Sequence, residues 1–392
     1  MQTLQSYIKK SEGYKAFSTN KKADIQVEGL DGFPLFQCAH LMASVVEGLT
    51  WLICPTDEIA RQLHSNFNLV PNAPNVPIFL LPGSGRVLYS QWEGTAKEYE
   101  QLRCLGSISD CKQGLVVTSI RAICCPLPSK GAVDVGCIKL KVNDSLDTMQ
   151  LAEKLAQGNY YRSPNTTMPG EFTVRGEVFD IFPYGSDLPV RIYFDWDKIE
   201  RICKYDPLSQ QISKQLGHID IQILSANDSQ KVLPKGFLEF VKPSDYMIFY
   251  GDKRIETSFK SLQLEAKSLY RKAYQEDRNA LRPDEILFDF PAFEESWHGS
   301  MTVLDIAGQS NSSFRFDIDG PRSYFGNFTY LKEDLQGLED DNWDIEIYVT
   351  TEVQKRRLEQ MLSQVLCTLT RLGFLILPAL ATQLIQPWRL TS

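Results

Sequence analysis

Between Tyr161 and Asp206 the chain reads YRSPNTTMPGEFTVRGEVFDIFPYGSDLPVRIYFDWDKIERICKYD, and no other stretch constrains the fold as much. Two short strands are predicted, Glu171–Arg175 and Val178–Phe182, with Gly176 between them. Pro183, Tyr184, Gly185 and Ser186 supply a turn, and an alternating pattern resumes over Val190–Phe194. Val174, Val178, Ile181, Val190 and Ile192 are the expected core face, while Arg175, Glu177 and Arg191 are left to the other side. The expectation is an antiparallel meander with its charges on one face.

The 392 residues suffice for two or three domains. No run of about twenty apolar residues occurs, as a membrane span would need, and MQTLQSYIKKSEGYKAF lacks the apolar core of a secretory signal. A cytoplasmic chain without membrane contact is expected. The formal net charge of −8 argues against broad attraction to nucleic acid. The nine cysteines form no C-x-x-C, and the four histidines are far apart, so no metal site is expected and buried reduced thiols are the better reading.

From Asp24 the chain alternates: strand Asp24–Glu28, helix Phe36–Glu47, strand Trp51–Cys54, a helix opened by Thr56 or Asp57 with Ile59, Leu63 and Phe67 in step, strand Ile78–Leu81, helix Lys97–Ile108 and strand Leu115–Thr118. That order builds a parallel sheet with helices on its faces. A loop at Pro126, Pro128 and Gly131 follows. Strand Ile138–Val142 and helix Thr148–Leu155, with Ser145 as its cap, lead into the meander. Beyond Asp206, strands are expected at Leu216–Leu224 and Tyr246–Tyr250. Helix Ile255–Asp277 shows a narrow apolar stripe (Phe259, Leu262, Leu269, Tyr270) on an otherwise solvated surface. A third unit starts near Phe314, with helix Tyr324–Leu335, strand Ile345–Thr350 and helix Glu352–Leu366, while Thr368–Ser392 receives no definite assignment.

The segments GEFTVRGEVFDIFP, PVRIYF and KIERICKYDP resemble the signature shared by the bacterial transcription-repair coupling factor (Mfd) and the excision-repair subunit UvrB. The resemblance extends over roughly Ile25 to Leu366. It implies an α/β fold: a degenerate helicase-like parallel-sheet domain (1–119 and 207–312), interrupted by an inserted α+β UvrA-binding module (120–206) and followed by a small α/β spacer domain (313–392). It further implies a non-catalytic adaptor that recruits UvrA to lesions at stalled RNA polymerase. Contacts with polymerase and double-stranded DNA would belong to other domains of a full family member. In the family the docking face is covered by a C-terminal domain, so a chain without that domain is expected to bind UvrA constitutively. The alternative is a divergent UvrB-like damage-recognition helicase subunit that binds ATP and DNA.

Two features weigh against the alternative. A phosphate loop needs glycines, a Lys and a hydroxyl. The equivalent stretch here, Gly29-Leu30-Asp31-Gly32-Phe33-Pro34-Leu35-Phe36, has neither Lys nor hydroxyl, and Asp31 puts negative charge where phosphate would sit. No cofactor is therefore expected; Gly83-Ser84-Gly85-Arg86 reads as a turn. The interval that carries UvrB's long DNA-threading hairpin is here only Val87–Lys97, with Tyr89 and Trp92 its aromatics. No Ser-His-Asp set, H-E-x-x-H or Asp-Glu box points to catalysis, and Glu339-Asp340-Asp341 reads as an acidic loop.

The resemblance maps UvrA-contacting positions onto Arg162, Arg175 and Phe182, and the meander adds Arg191. Arginine forks suit carboxylates across an interface, and aromatic anchors suit pockets. Beside this stands the bland reading that Phe182 is core and the arginines are ordinary surface ions. Thr173 departs from the family, which often has Arg there.

Overall fold

A computed structural model describes residues 4–65, 76–90, 95–223, 232–306, 308, 313–319, 327–341, 345–349, 352–362, 372–376 and 389–390. Helices α1 (Leu4–Lys10) and α2 (Glu12–Thr19) come first. Then β1 (Ile25–Glu28), α3 (Gly32–Ala43), β2 (Leu49–Cys54), α4 (Asp57–Ser65), β3 (Ile78–Leu81), α5 (Ala96–Asp110) and β4 (Gly114–Ser119) alternate as expected. Helix α5 begins with a capping box, Thr95 and Glu98 satisfying each other's amides.

Short elements α6 (Ile120–Cys124), β5 (Leu127–Pro128) and α7 (Lys130–Val135) lead to the inserted unit. That unit holds β6 (Cys137–Lys141), α8 (Thr148–Gln157), β7 (Tyr161–Arg162), β8 (Glu171–Arg175), β9 (Val178–Ile181), β10 (Val190–Asp195), β11 (Lys198–Tyr205), β12 (Ile212–Leu216) and β13 (His218–Gln222). The chain returns through β14 (Val232–Leu233), β15 (Tyr246–Tyr250), α9 (Asp252–Glu276), α10 (Pro283–Ile286), α11 (Phe290–Ser296), β16 (Ser300–Val303) and β17 (Phe314–Arg315). It continues with β18 (Ile318–Asp319), α12 (Phe328–Asp340), β19 (Ile345–Val349), α13 (Glu352–Met361), β20 (Leu372–Ile376) and β21 (Arg389–Leu390).

Seven parallel strands form one sheet in the order β17-β1-β16-β15-β2-β4-β3. Its central strands β15, β2 and β4 are buried along their whole length because helices cover both faces. In β2, Leu52 and Cys54 enter one core, and Trp51 and Ile53 the other. Buried Asp245 ties β2 to the turn before β15: it accepts from the Leu49 amide (2.9 Å), the Trp51 indole (3.0 Å) and the Lys242 amide (3.0 Å). The smaller third unit pairs β19 with β20 in parallel, with Leu335, Ile345 and Leu362 as its buried cluster.

The boundaries expected from sequence shift. Ile120, Ile123, Cys124, Leu127 and Val133 pack in the parallel-sheet core, so 120–135 belongs to that unit rather than to the insertion. The strand expected at Leu216–Leu224 is two strands broken at Gly217. Of these, β12 closes the meander sheet and β13 pairs with β6, so the insertion extends to Gln222 rather than Asp206. The Pro126–Gly131 loop contains β5, which pairs with returning β14 as a neck. Phe314–Arg315 joins β1 in the main sheet, so the third unit starts later than 313. Asp147, not Ser145, caps α8. Phe67, Trp92, Val365 and most of Thr368–Ser392 lie outside the described residues.

Candidate partner-docking site

The insertion is built on a six-stranded sheet, β12-β11-β10-β9-β8-β7, antiparallel except for β7 beside β8. Phe172, Phe179, Ile181, Val190, Ile192 and Phe194 fill one face and pack with Leu151 and Leu155 of α8 and with Leu140 and Ile221 of the β6–β13 ribbon. Val174 packs against them, half-buried. Val178, expected on this face, is of the opposite parity: it lies three residues from Ile181, and Phe179 takes its place.

The second face carries two rows of side chains across the strands. The inner row, set by register, is Thr173, Asp180, Arg191 and Cys203. Here the Arg191 guanidinium grips the Asp180 carboxylate through two bonds of 2.7 and 2.9 Å, and donates a third to the Gln210 amide oxygen at 2.7 Å. It also stacks over the Tyr205 ring at 4.3 Å. The pair is largely withdrawn from water, with side chains 16% and 4% exposed. The Asp180 hydrogen bonds raise the Arg191 pKa. The loop between β7 and β8 folds over this row. Thr173 donates to the Ser163 carbonyl (2.6 Å), and Glu171 accepts the Thr167 and Met168 amides (2.7 and 2.8 Å). Those bonds outweigh burial and hold the Glu171 carboxyl below its usual range.

The outer row is Arg175, Val178, Tyr193 and Arg201, one residue from each of β8 to β11. None of the four is fully buried. Arg175 is tethered to the loop, donating to the Pro164 carbonyl and to Asn165 Oδ1 (2.7 Å). Arg201 lies over the Tyr193 ring at 4.1 Å. Neither guanidinium has a carboxylate partner among the described residues.

The four residues singled out from sequence thus fall in different settings. Arg175 stands exposed at one end of the outer row. Arg162 is exposed on β7 opposite Phe172, a core-face residue, so register sends it to the other face of the sheet edge from Arg175. Phe182 is 6% exposed, so the fold itself holds the ring. Arg191 is consumed by Asp180. Sequence reading passed over Arg201 and Tyr193, although the alternation from Arg191 to Tyr193 was visible.

In the parallel-sheet unit, α3 starts inside the Gly29–Phe36 stretch. Asp31 caps it, accepting the Gly32 amide at 2.8 Å, and Phe33, Pro34, Leu35 and Phe36 are buried. The helix start therefore already faces a carboxylate. Gly29 has φ +79°, and a Cβ there would stand 2.1 Å from the Phe316 carbonyl oxygen. The Gly83 loop is fixed by its amide donating to Asp57, which also accepts from Ser119. Burial pushes the thiols of Cys38 to about 12 and Cys125 to about 11, leaving them protonated at neutral pH.

Residues 138–227 match the UvrB interaction domain, an interval that begins where the chain leaves the parallel-sheet unit. The chain is 23% identical over 304 residues to the transcription-repair-coupling factor of Borreliella burgdorferi, covering 68% of this chain and 27% of that protein. It is 33% identical over 121 residues to UvrABC system protein B of Kosmotoga olearia, covering 31% and 18% of the two chains. With the transcription-repair-coupling factor of Bacillus subtilis it shares 23% over 226 residues, 56% and 19% of the two chains. The chain thus spans between 18% and 27% of the length of these relatives. Over residues 138–227 the chain thus matches the UvrB interaction domain, and it is similar to part of the transcription-repair coupling factors and of UvrB.

Proposed function

We propose that this chain is a non-catalytic adaptor that recruits the excision-repair protein UvrA through the outer row of the meander sheet. The observation that carries this reading is the contrast between the two rows. The inner Arg191 is spent on a buried carboxylate, whereas Arg175 and Arg201 present guanidinium groups with no internal carboxylate, at the two ends of a strip over Val178 and Tyr193. Such forks bind carboxylates of a partner surface bidentately. In a longer coupling factor, polymerase displacement and duplex DNA translocation would be carried by other domains, and this region would bring the repair machinery to the stalled site. Arg162, on the opposite face at the sheet edge, would contact the partner only if UvrA wraps that edge.

Similarity to UvrB keeps a second reading in view, a damage-recognition subunit with ATP and DNA binding. The Asp31 carboxylate at the start of α3 disfavours nucleotide phosphate there. Two measurements separate the readings. The adaptor reading expects co-purification with UvrA that Arg175→Ala weakens, and a melting temperature that does not move with ATP. A melting temperature that climbs with ATP concentration would instead support the second reading.

A further inference from the structure

Two hairpin turns lie side by side at one end of the meander sheet. The β8–β9 turn is Gly176-Glu177, between paired Arg175 and Val178; the β10–β11 turn is Trp196-Asp197, between paired Asp195 and Lys198. Val178 faces Tyr193 across β9 and β10, and the Phe194 amide donates to the Glu177 carbonyl at 2.8 Å, so the first turn rests on the strand that enters the second. In each turn the first residue has a positive φ, +58° at Gly176 and +57° at Trp196. Two-residue hairpin loops favour Gly, Asn or Asp at such positions, and a bulky side chain there is strained. One turn follows this preference and its neighbour defies it with the largest side chain available.

The fold gains nothing visible from that choice. Trp196 is 88% exposed, among the most exposed large apolar residues described. Yet the hairpin around it is firmly held. The Leu146 amide donates to the Asp197 carbonyl at 2.7 Å, Ser145 donates to the Asp197 carboxylate, and Ile199 donates to the Asp144 carbonyl at 2.9 Å. A strained, solvent-facing indole on a braced turn, next to an open arginine row, is the arrangement of a preorganised binding anchor.

We propose that Trp196 is a principal contact residue for the protein that docks on the Arg175–Arg201 row, its indole entering an apolar cleft beside the carboxylates that engage the two guanidinium groups. This deepens the UvrA-docking reading and rests on it. The strain supplies an unusual test, because removing the side chain should relieve the fold while harming the complex.

Purified protein is titrated with UvrA, and melting temperatures are recorded in parallel, for wild type, Trp196→Gly, Trp196→Asn, Trp196→Phe and Arg175→Ala. The expected result is a Kd weakened tenfold or more by Trp196→Gly and Trp196→Asn, with the melting temperature unchanged or raised, and a smaller loss for Trp196→Phe. A Kd within twofold of wild type for the Gly and Asn variants, with Arg175→Ala still weakening binding, would overturn the role of Trp196 and leave the docking reading standing. A drop in melting temperature in both variants would assign the indole to the fold and overturn the proposal from the other side. Failure of the wild-type protein to bind UvrA would end both.

Discussion

The rings of Tyr99 and Tyr184 stack with centroids 3.9 Å apart and planes 8° apart. Tyr99 belongs to α5 of the parallel-sheet unit, and Tyr184 follows β9 in the insertion. Tyr160 meets the Tyr184 ring edge-on at 4.8 Å. The hydroxyls finish the joint: Tyr99 donates to the Gly158 carbonyl (3.3 Å), Tyr184 to that of Asn159 (3.0 Å) and Tyr160 to that of Gln222 (3.1 Å). Tyr99 thus joins the parallel-sheet unit to the insertion through its stack on Tyr184 and its bond to Gly158, while the other two hydroxyl bonds brace the insertion's side of the joint.

Tyr184→Ala is expected to cost about 2 kcal/mol, from the lost stack, the lost hydroxyl bond and the space left behind. Urea unfolding would measure it. Tyr184→Phe, which keeps the stack, should recover most of the loss.

Arg191→Ala tests the division between the two rows. It strands the Asp180 carboxylate, whose side chain is 4% exposed, and breaking such a pair from one side costs about 3 kcal/mol or more. The variant should therefore unfold at markedly lower urea, whereas Arg175→Ala, at an exposed position, should change stability by less than about 0.5 kcal/mol. Equal stability losses for the two would contradict the assignment of Arg191 to the interior.

These rows show where sequence reading reaches its limit. The alternating strand-helix order of the first unit was legible because fully buried parallel strands such as LTWLIC leave a continuous apolar mark. The meander was legible from its period of two. Pairing between distant strands was not: nothing local in HIDIQ says that it pairs with CIKLK, some eighty residues earlier, rather than with the main sheet. The fate of Arg191 was hidden for the same reason, since its partner Asp180 becomes a neighbour only through the β9–β10 register. Trp196 carried no such mark: DWDK has no glycine or asparagine to signal a tight turn, and the exposure of the indole appears only in three dimensions.

Stability should fall on mild acidification. His40 is 1% exposed, and burial lowers its pKa below the usual 6.5. The unfolded chain then takes up a proton near pH 6.5 that the folded chain refuses, so stability declines as pH drops below about 6.5. His64, also lowered by burial, adds in the same direction. The Glu171 contribution, from a depressed carboxyl, is present above the ordinary carboxylate range and is lost only as pH falls through its folded value, a lower window. Thermal melts from pH 7.5 to 5.5 should show the first loss, and His40→Leu should flatten part of it.

The most direct test of the docking account is the Kd for UvrA of the charge-reversed pair Arg175→Glu/Arg201→Glu, with a thermal melt confirming an intact fold. The account predicts a loss of about a hundredfold or more, two charge-assisted contacts at about 1.4 kcal/mol or more each. An intact double variant that binds UvrA within twofold of wild type would contradict it.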